Sequence, residues 1–357
     1  MKAVIWIMVG ALCYLGSGML RTAAASDGLI LAAGEATSPV YQVGVGLASL
    51  IKVKLSPTHK IDIEAIHSEG PVDNVRLIQQ GAANLAILPS VTGYAALTAT
   101  GSFTGLPPER ELRAVTALWS DVLHLVVQDQ DVSTGTIDDF LALKDRKVFL
   151  GRETTGADEA NRLLLAGLGL DVDKAFDVAP VAKDDLIHAL KQGHLDALSL
   201  AAMTPSPLFQ TMGDITSEGM KFLQITTDQV IKANGSHWLW SPYTIPAATY
   251  PGQSEDISTI AHANLLVVDA DLPEEMVYQI TRSIFENLAY LRRVTTPLRN
   301  LTLDRALSGL SLPLHPGAHR YFKEVGLISE TNSPEQPPSD PLPYDHDRTG
   351  YPNADVA

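Results

Sequence analysis

Cysteine is nearly absent from this 357-residue chain: there is one, Cys13. A single thiol excludes a disulfide framework and any cysteine-based zinc site. The ten histidines are scattered, without an HExxH motif, so no metal site is expected. Aromatic residues are scarce at 6%. Basic residues are outnumbered, 26 against 41 acids, for a net charge of −15, which disfavours a nucleic-acid partner because phosphate binding needs clustered Lys and Arg. Catalytic signatures are missing too: there is no GxSxG elbow, no Walker loop, and Gly44-Val45-Gly46-Leu47-Ala48 lacks the spacing of a dinucleotide-binding turn. Asp129-Gln130-Asp131-Val132-Ser133 starts like a calcium loop, but Thr134 stands where the turn needs Gly and Phe140 where the last ligand should be Glu. No cofactor and no enzymatic activity are expected.

Long apolar runs are confined to the start. Lys2, the apolar stretch from Ala3 to Leu20 and the small residues Ala23-Ala24-Ala25 have the order of a secretory signal peptide, residues 1–25, cleaved near Ala25. The alternative is a retained membrane anchor, which Gly10, Gly16 and Gly18 weaken. Cleavage removes Lys2, Arg21 and Cys13, leaving an exported, thiol-free chain of net charge −17.

The rest, 45% apolar and 19% charged over the whole chain, has globular composition. An apolar strand, Gly28 to Ala33, leads through a loop of small and polar residues, 34–39, into a helix with Val40, Val43, Leu47, Leu50 and Ile51 on one face. Strands follow at 61–66, 85–88 and 123–127, with a helix at 72–80 ended by Gly81. The order then restarts: a strand at 147–150, a second small-residue loop at 151–156, helices at 159–168 and 184–192, and a strand at 195–200. A strand at 265–268 precedes a helix from Pro273 to about Leu291. Strands alternating with helices predict an α/β fold, and the repeat, about 120 residues on, predicts two related lobes of ordinary domain size. Residues 328–357, rich in proline and poor in apolar side chains, are expected to form a disordered tail.

Both small-residue loops lie between a strand end and a helix start, where free N–H groups and the positive helix terminus converge. Thr37 and Ser38 in the first, and Thr154 and Thr155 in the second, add hydroxyls, so a shared cleft at the carboxyl ends of the strands suits a polar or anionic ligand. For each loop alone, ordinary N-capping by Ser and Thr is the competing reading. Arg152 is placed to pair with a ligand carboxylate or, as a solvated surface pair, with Glu153. Tyr41, Trp119 and Tyr250 are candidates to pack a ligand's carbon chain, and Trp238 and Trp240 for core or hinge packing. Glu35, if it faced inward, would repel a carboxylate, so it points to solvent or the ligand carries an amine.

Three long segments then carry a resemblance. Ile245-Pro246-Ala247-Ala248-Thr249-Tyr250-Pro251-Gly252-Gln253 resembles the IPAGTYPGQ stretch of the TAXI family, the substrate-binding receptors of one branch of the tripartite ATP-independent periplasmic (TRAP) transporters. Residues 272–288 are similar to its ADLPEDVVYEITKALFENL, and Leu312-Pro313-Leu314-His315-Pro316-Gly317-Ala318 to its IPLHPGA. The likeness runs over about residues 28–327. It implies a type II periplasmic-binding-protein fold, with residues 28–124 plus 262–327 as one lobe, 125–261 as the other, and crossings near His124 and Ala263. It also implies a monomeric periplasmic receptor that binds a glutamate-like amino acid or a dicarboxylate and delivers it to membrane permease subunits. A ligand sensor for a signalling partner is the alternative, and an enzyme on this fold a remoter one. The family's ligand loops map onto residues 32–39, where most of the family's glycines are replaced, and onto Pro89-Ser90-Val91, residues 151–158 and Ala202-Met203-Thr204-Pro205-Ser206-Pro207. The resemblance thereby adds Ser90, Gly156 and Thr204 to Thr37, Ser38, Tyr41, Trp119, Arg152, Thr154 and Thr155 as expected ligand-site residues.

Overall fold

A computed structural model describes residues 28–329, apart from positions 154, 183, 184, 236 and 238. The expected signal peptide, Thr154, Trp238 and the tail from residue 330 onward lie outside the described residues.

Ten strands form one continuous sheet. In chain order they are β1 (Leu29–Ala32), β2 (Ile63–Ile66), β3 (Leu85–Pro89), β4 (Leu112–Gln128), β5 (Lys147–Phe149), β6 (Asp177–Val178), β7 (Ala197–Ala202), β8 (Met220–Phe222), β9 (Ser241–Ile245) and β10 (Ile257–Asp269). The order across the sheet is β2-β1-β3-β10-β4-β7-β5-β6, with β8 on β4 and β9 on β10. Read inward from either edge, the two ends match. β2, β1 and β3 run parallel and β10 lies antiparallel beside β3; β6, β5 and β7 run parallel and β4 lies antiparallel beside β7. The repeat in the sequence is thus a repeat of sheet topology. Its two halves are joined by the longest strands, β4 and β10, which pair with each other from Ala261↔Val122 to Asp269↔Leu112.

Both long strands serve both halves. β10 pairs with β9 through Ile257–Ala261 and with β3 through Asn264–Val268, so it changes halves between Ala261 and Asn264. β4 takes up β7 from Val122 onward. The runs read as short strands at 123–127 and 265–268 are therefore stretches of strands 17 and 13 residues long.

Helices cover both faces of each half, which is why β3 and most of β4 and β10 are apolar without alternation. In the first half, α1 (Pro39–His59) and the helices Glu274–Glu286 and Pro316–Glu324 pack on one face, and α2 (Pro71–Gln79) and α3 (Ser90–Thr98) on the other. The face of α1 predicted from spacing is the buried one: Val43, Leu47, Leu50 and Ile51 enter the core. Gly44 lets α1 lie against β1, since a Cβ there would sit 2.4 Å from that of Ala33. The second half is built likewise around α4 (Ile137–Leu141) and α5 (Gly156–Gly167), with Trp240 in its core. The expected helix 273–291 is two helices, Glu274–Glu286 and Leu288–Val294, broken at Asn287. In the calcium-like segment, Asp139 turns back to accept hydrogen bonds from the N–H groups of Ser133, Thr134 and Gly135 and from the Ser133 hydroxyl. These donors hold its carboxyl at about 2, against the opposing effect of burial. Among the described residues no helix is long and apolar enough to cross a membrane, and no group of three or more His, Cys, Asp or Glu is placed to hold a metal ion.

Candidate functional site

The carboxyl ends of β1, β3 and β7 face a common space between the two halves. Two adjoining chambers occupy it. The outer, of about 600 Å³, is lined by Glu35, His67, Glu69 and Asp73 from the first half and by Arg152, Glu153 and Thr155 from the second. The inner, of about 210 Å³, runs from Gly34, Ser38 and Pro89 on one side to Gly156, Ala157 and Ala201 on the other. Its floor is Asp121 from β4 and His262 and Asn264 from β10.

Backbone geometry fixes the first-half wall. Ser38 caps α1, its Oγ accepting from the N–H of Tyr41 at 3.1 Å, and Pro39 follows at the first helical position, where its missing N–H costs nothing. The preceding loop is clamped by a buried polar chain. The Gly34 N–H donates to Ser68 Oγ at 3.0 Å, the Ser68 hydroxyl donates to Asn74 Oδ1, and the Asn74 amide donates to the carbonyl of Ile87 at 2.8 Å. Three strand ends are thereby held in register around the cleft. In the second half Asn161 does similar work, donating to the carbonyls of Leu150 and Ser199 at 2.6 and 3.0 Å.

The second loop reaches across. Thr155 caps α5: its Oγ1 accepts from the Asp158 N–H at 3.4 Å and donates to the Arg152 carbonyl at 2.6 Å. Arg152 forms an ion pair with Glu35 of the opposite loop, spanning the mouth of the cleft. Both side chains are well exposed, so the pair contributes at most about 1 kcal/mol. Glu35, 44% exposed, turns across the mouth toward Arg152. Arg152 pairs with Glu35, a partner the sequence reading did not consider. The start of α5 presses on the first half at Gly156, where a Cβ would lie 2.8 Å from Pro89 Cγ and 3.3 Å from Pro71 Cγ.

Ser38, Arg152, Thr155 and Gly156 line the cavity. The other expected residues stand elsewhere. Thr37 is exposed beyond the cavity wall, and Tyr41 packs half-buried against the first-half core. Ser90 is fully buried behind Pro89, its carbonyl accepting from the Ser311 hydroxyl at 2.6 Å. Thr204 is half-buried next to the cis peptide bond to Pro205 and away from the cavity lining. Trp119 is half-buried beside the floor, on the same face as Asp121, its Nε1–H donating to Asp121 Oδ1 at 3.3 Å. Tyr250 is a core residue: 3% exposed, it takes the Ser206 N–H at 3.0 Å and meets His124 Nε2 at 2.7 Å.

The sequence reading missed the floor. Asp121 and His262 are direct cross-strand partners, so both side chains leave the sheet on one face, and Asn264 follows two residues on, on that face. The Asn264 amide donates to Asp121 Oδ2 at 2.9 Å. His262, 3% exposed, contacts the Ala263 carbonyl through Nδ1 at 3.4 Å, while its Nε2 has no hydrogen-bond partner. Burial pushes this imidazole below its ordinary value, with Asp121 pulling the other way. The available signal was the spacing: polar residues two apart, at 262 and 264, inside an otherwise apolar run.

Comparison with known proteins places the chain. The model of the NMT1-like family matches residues 31–326, nearly all of the fold just described. The chain belongs to the NMT1-like family. Among solved structures, this NMT1-like protein is similar in fold to XAC2383 from Xanthomonas citri, solved with bound chloride (TM-score 0.49, 9% identity, 84% of this chain and 96% of that one). It is also similar to MatC from Rhodopseudomonas palustris with bound malate (0.44, 15%, 84% and 97%), and to the periplasmic aliphatic sulphonate binding protein SsuA from Escherichia coli (0.43, 14%, 84% and 84%). The two-half topology itself establishes the expected fold class, α/β with a cleft between related halves, and no ligand passes from these structures to the NMT1-like chain.

Proposed function

We propose that this NMT1-like protein is an exported solute receptor of the TAXI type, which binds a small polar metabolite in the cleft and presents it to the membrane permease of a TRAP transporter. One observation carries the reading: the cavity has one wall from each half and a floor from the two strands that join them. A ligand there touches both halves at once, so binding favours the arrangement in which they are closed. On this reading residues 28–124 with 262–327 and residues 125–261 are the two lobes, and the segments around Trp119–Val122 and Ala261–Asn264 are the hinge. The three family-like segments support the TAXI assignment, and the order of charge, apolar run and small residues in 1–25 supports export to the periplasm.

A thermal-shift screen of the exported protein against amino acids, amines and C4–C6 dicarboxylates tests this. A true ligand at one hundred times its dissociation constant adds about 2.7 kcal/mol to stability. A melting temperature unmoved by every small polar solute would remove the receptor reading.

A further inference from the structure

The floor of the inner chamber offers acceptors and almost no donors. A carbonyl oxygen only accepts, so the contact between His262 Nδ1 and the Ala263 carbonyl puts the ring proton on Nδ1. Nε2 is left as a lone-pair acceptor, buried and unpartnered among the cavity-lining residues. Asp121, directly opposite across the strand pair, is a carboxylate whose two oxygens take one N–H each, from Trp119 and Asn264, and retain capacity for more. Because Asn264 spends its amide N–H on Asp121, its own oxygen is a third acceptor on the same face. Trp240, edge-on to the His262 ring with centroids 5.7 Å apart, holds the ring in place. The walls repeat the preference. Five carboxylates, Glu35, Glu69, Asp73, Asp121 and Glu153, line the two chambers against the one guanidinium of Arg152, which Glu35 already engages.

We infer that Asp121 and His262 form the seat of a protonated amine, and that the ligand of this cleft is an amine-bearing metabolite rather than an amine-free dicarboxylate. An ammonium group has three N–H donors in a compact head and would complete the acceptors of the floor while bringing a positive charge to an acidic chamber. An amine-free dicarboxylate would bring only acceptors to acceptors, and two negative charges to the same place. Both classes were open from sequence, and the inference, which rests on the receptor reading, chooses between them.

The test is isothermal titration calorimetry of the exported protein with L-glutamate, 4-aminobutyrate and putrescine as amine probes and with succinate and glutarate as amine-free ones. The expected result is heat from at least one amine probe and none from the dicarboxylates, with affinity falling at least about tenfold in Asp121→Asn, since a charge-assisted contact is lost. His262→Gln serves as the second variant where Asp121→Asn fails to fold by circular dichroism. Binding of succinate or glutarate with the amine probes silent would overturn the inference and leave the receptor reading standing. Amine binding unchanged in the folded variants would overturn the seat. Silence from all five probes would count against both the receptor reading and the inference.

Discussion

His124 shows how a single polar residue can be structural while looking functional. It sits on β4 at 1% exposure, stacked on Phe209 with ring centroids 4.5 Å apart. Its Nδ1–H donates to the Val122 carbonyl at 2.9 Å, so Nε2 accepts the Tyr250 hydroxyl, and Tyr250 in turn accepts the Ser206 N–H. The tyrosine of the family-like IPAATYPG segment is thus a tether from that loop to a crossing strand, not a wall of the cleft. Burial pushes His124 down to about 4 from an ordinary 6.5, against weaker support for the charged form from the carbonyls of Val122 and Leu200. An unfolded chain takes up this proton below 6.5, whereas the folded one resists until about 4, so stability declines as pH falls through that window. Melting temperatures measured from pH 7 to pH 4 should fall with acid. In His124→Phe the fall should be shallower, after a loss of about 1–3 kcal/mol at pH 7 from the orphaned Tyr250 hydroxyl. Equal slopes in the two proteins would contradict the assignment.

At the scale of elements, two of the hydroxyls singled out in the sequence lie at helix starts and are used there. Ser38 and Thr155 cap α1 and α5, the competing reading of both loops, and they reach the cavity as parts of its wall. Position along the chain was legible because caps and strand ends obey local rules. The partner of each hydroxyl was not, because a cap and a ligand contact ask for the same residue type. Nor was the floor legible as a site: Asp121, His262 and Asn264 meet only when two strands about 140 residues apart pair in register. Gly156 carries a consequence for closure. Its missing Cβ is what lets α5 approach Pro89 and Pro71 of the other half. Gly156→Ala should therefore leave the second half intact but hold the cleft ajar, weakening the bound probe's affinity by about tenfold or more, with little change in the melting temperature of the free protein. Titration calorimetry and a melting curve read the two effects separately, and unaltered affinity would contradict the close approach.

For the whole molecule, periodicity alone revealed the α/β class and the duplication, because each half is a run of strand, loop and helix whose signals are local. It did not reveal that the duplication turns about two long strands, since the crossing stretches read as isolated apolar runs with a few polar residues between them. That arrangement is what gives the cleft walls from both halves and the strands between them the place of a hinge. The claim on which the rest depends is that the halves close on a small ligand, and small-angle X-ray scattering of the exported protein measures it directly. With whichever probe binds in calorimetry, the radius of gyration should decrease on saturation, and the wild-type decrease should shrink in Gly156→Ala. A scattering profile identical with and without saturating probe would contradict closure about the β4–β10 crossing.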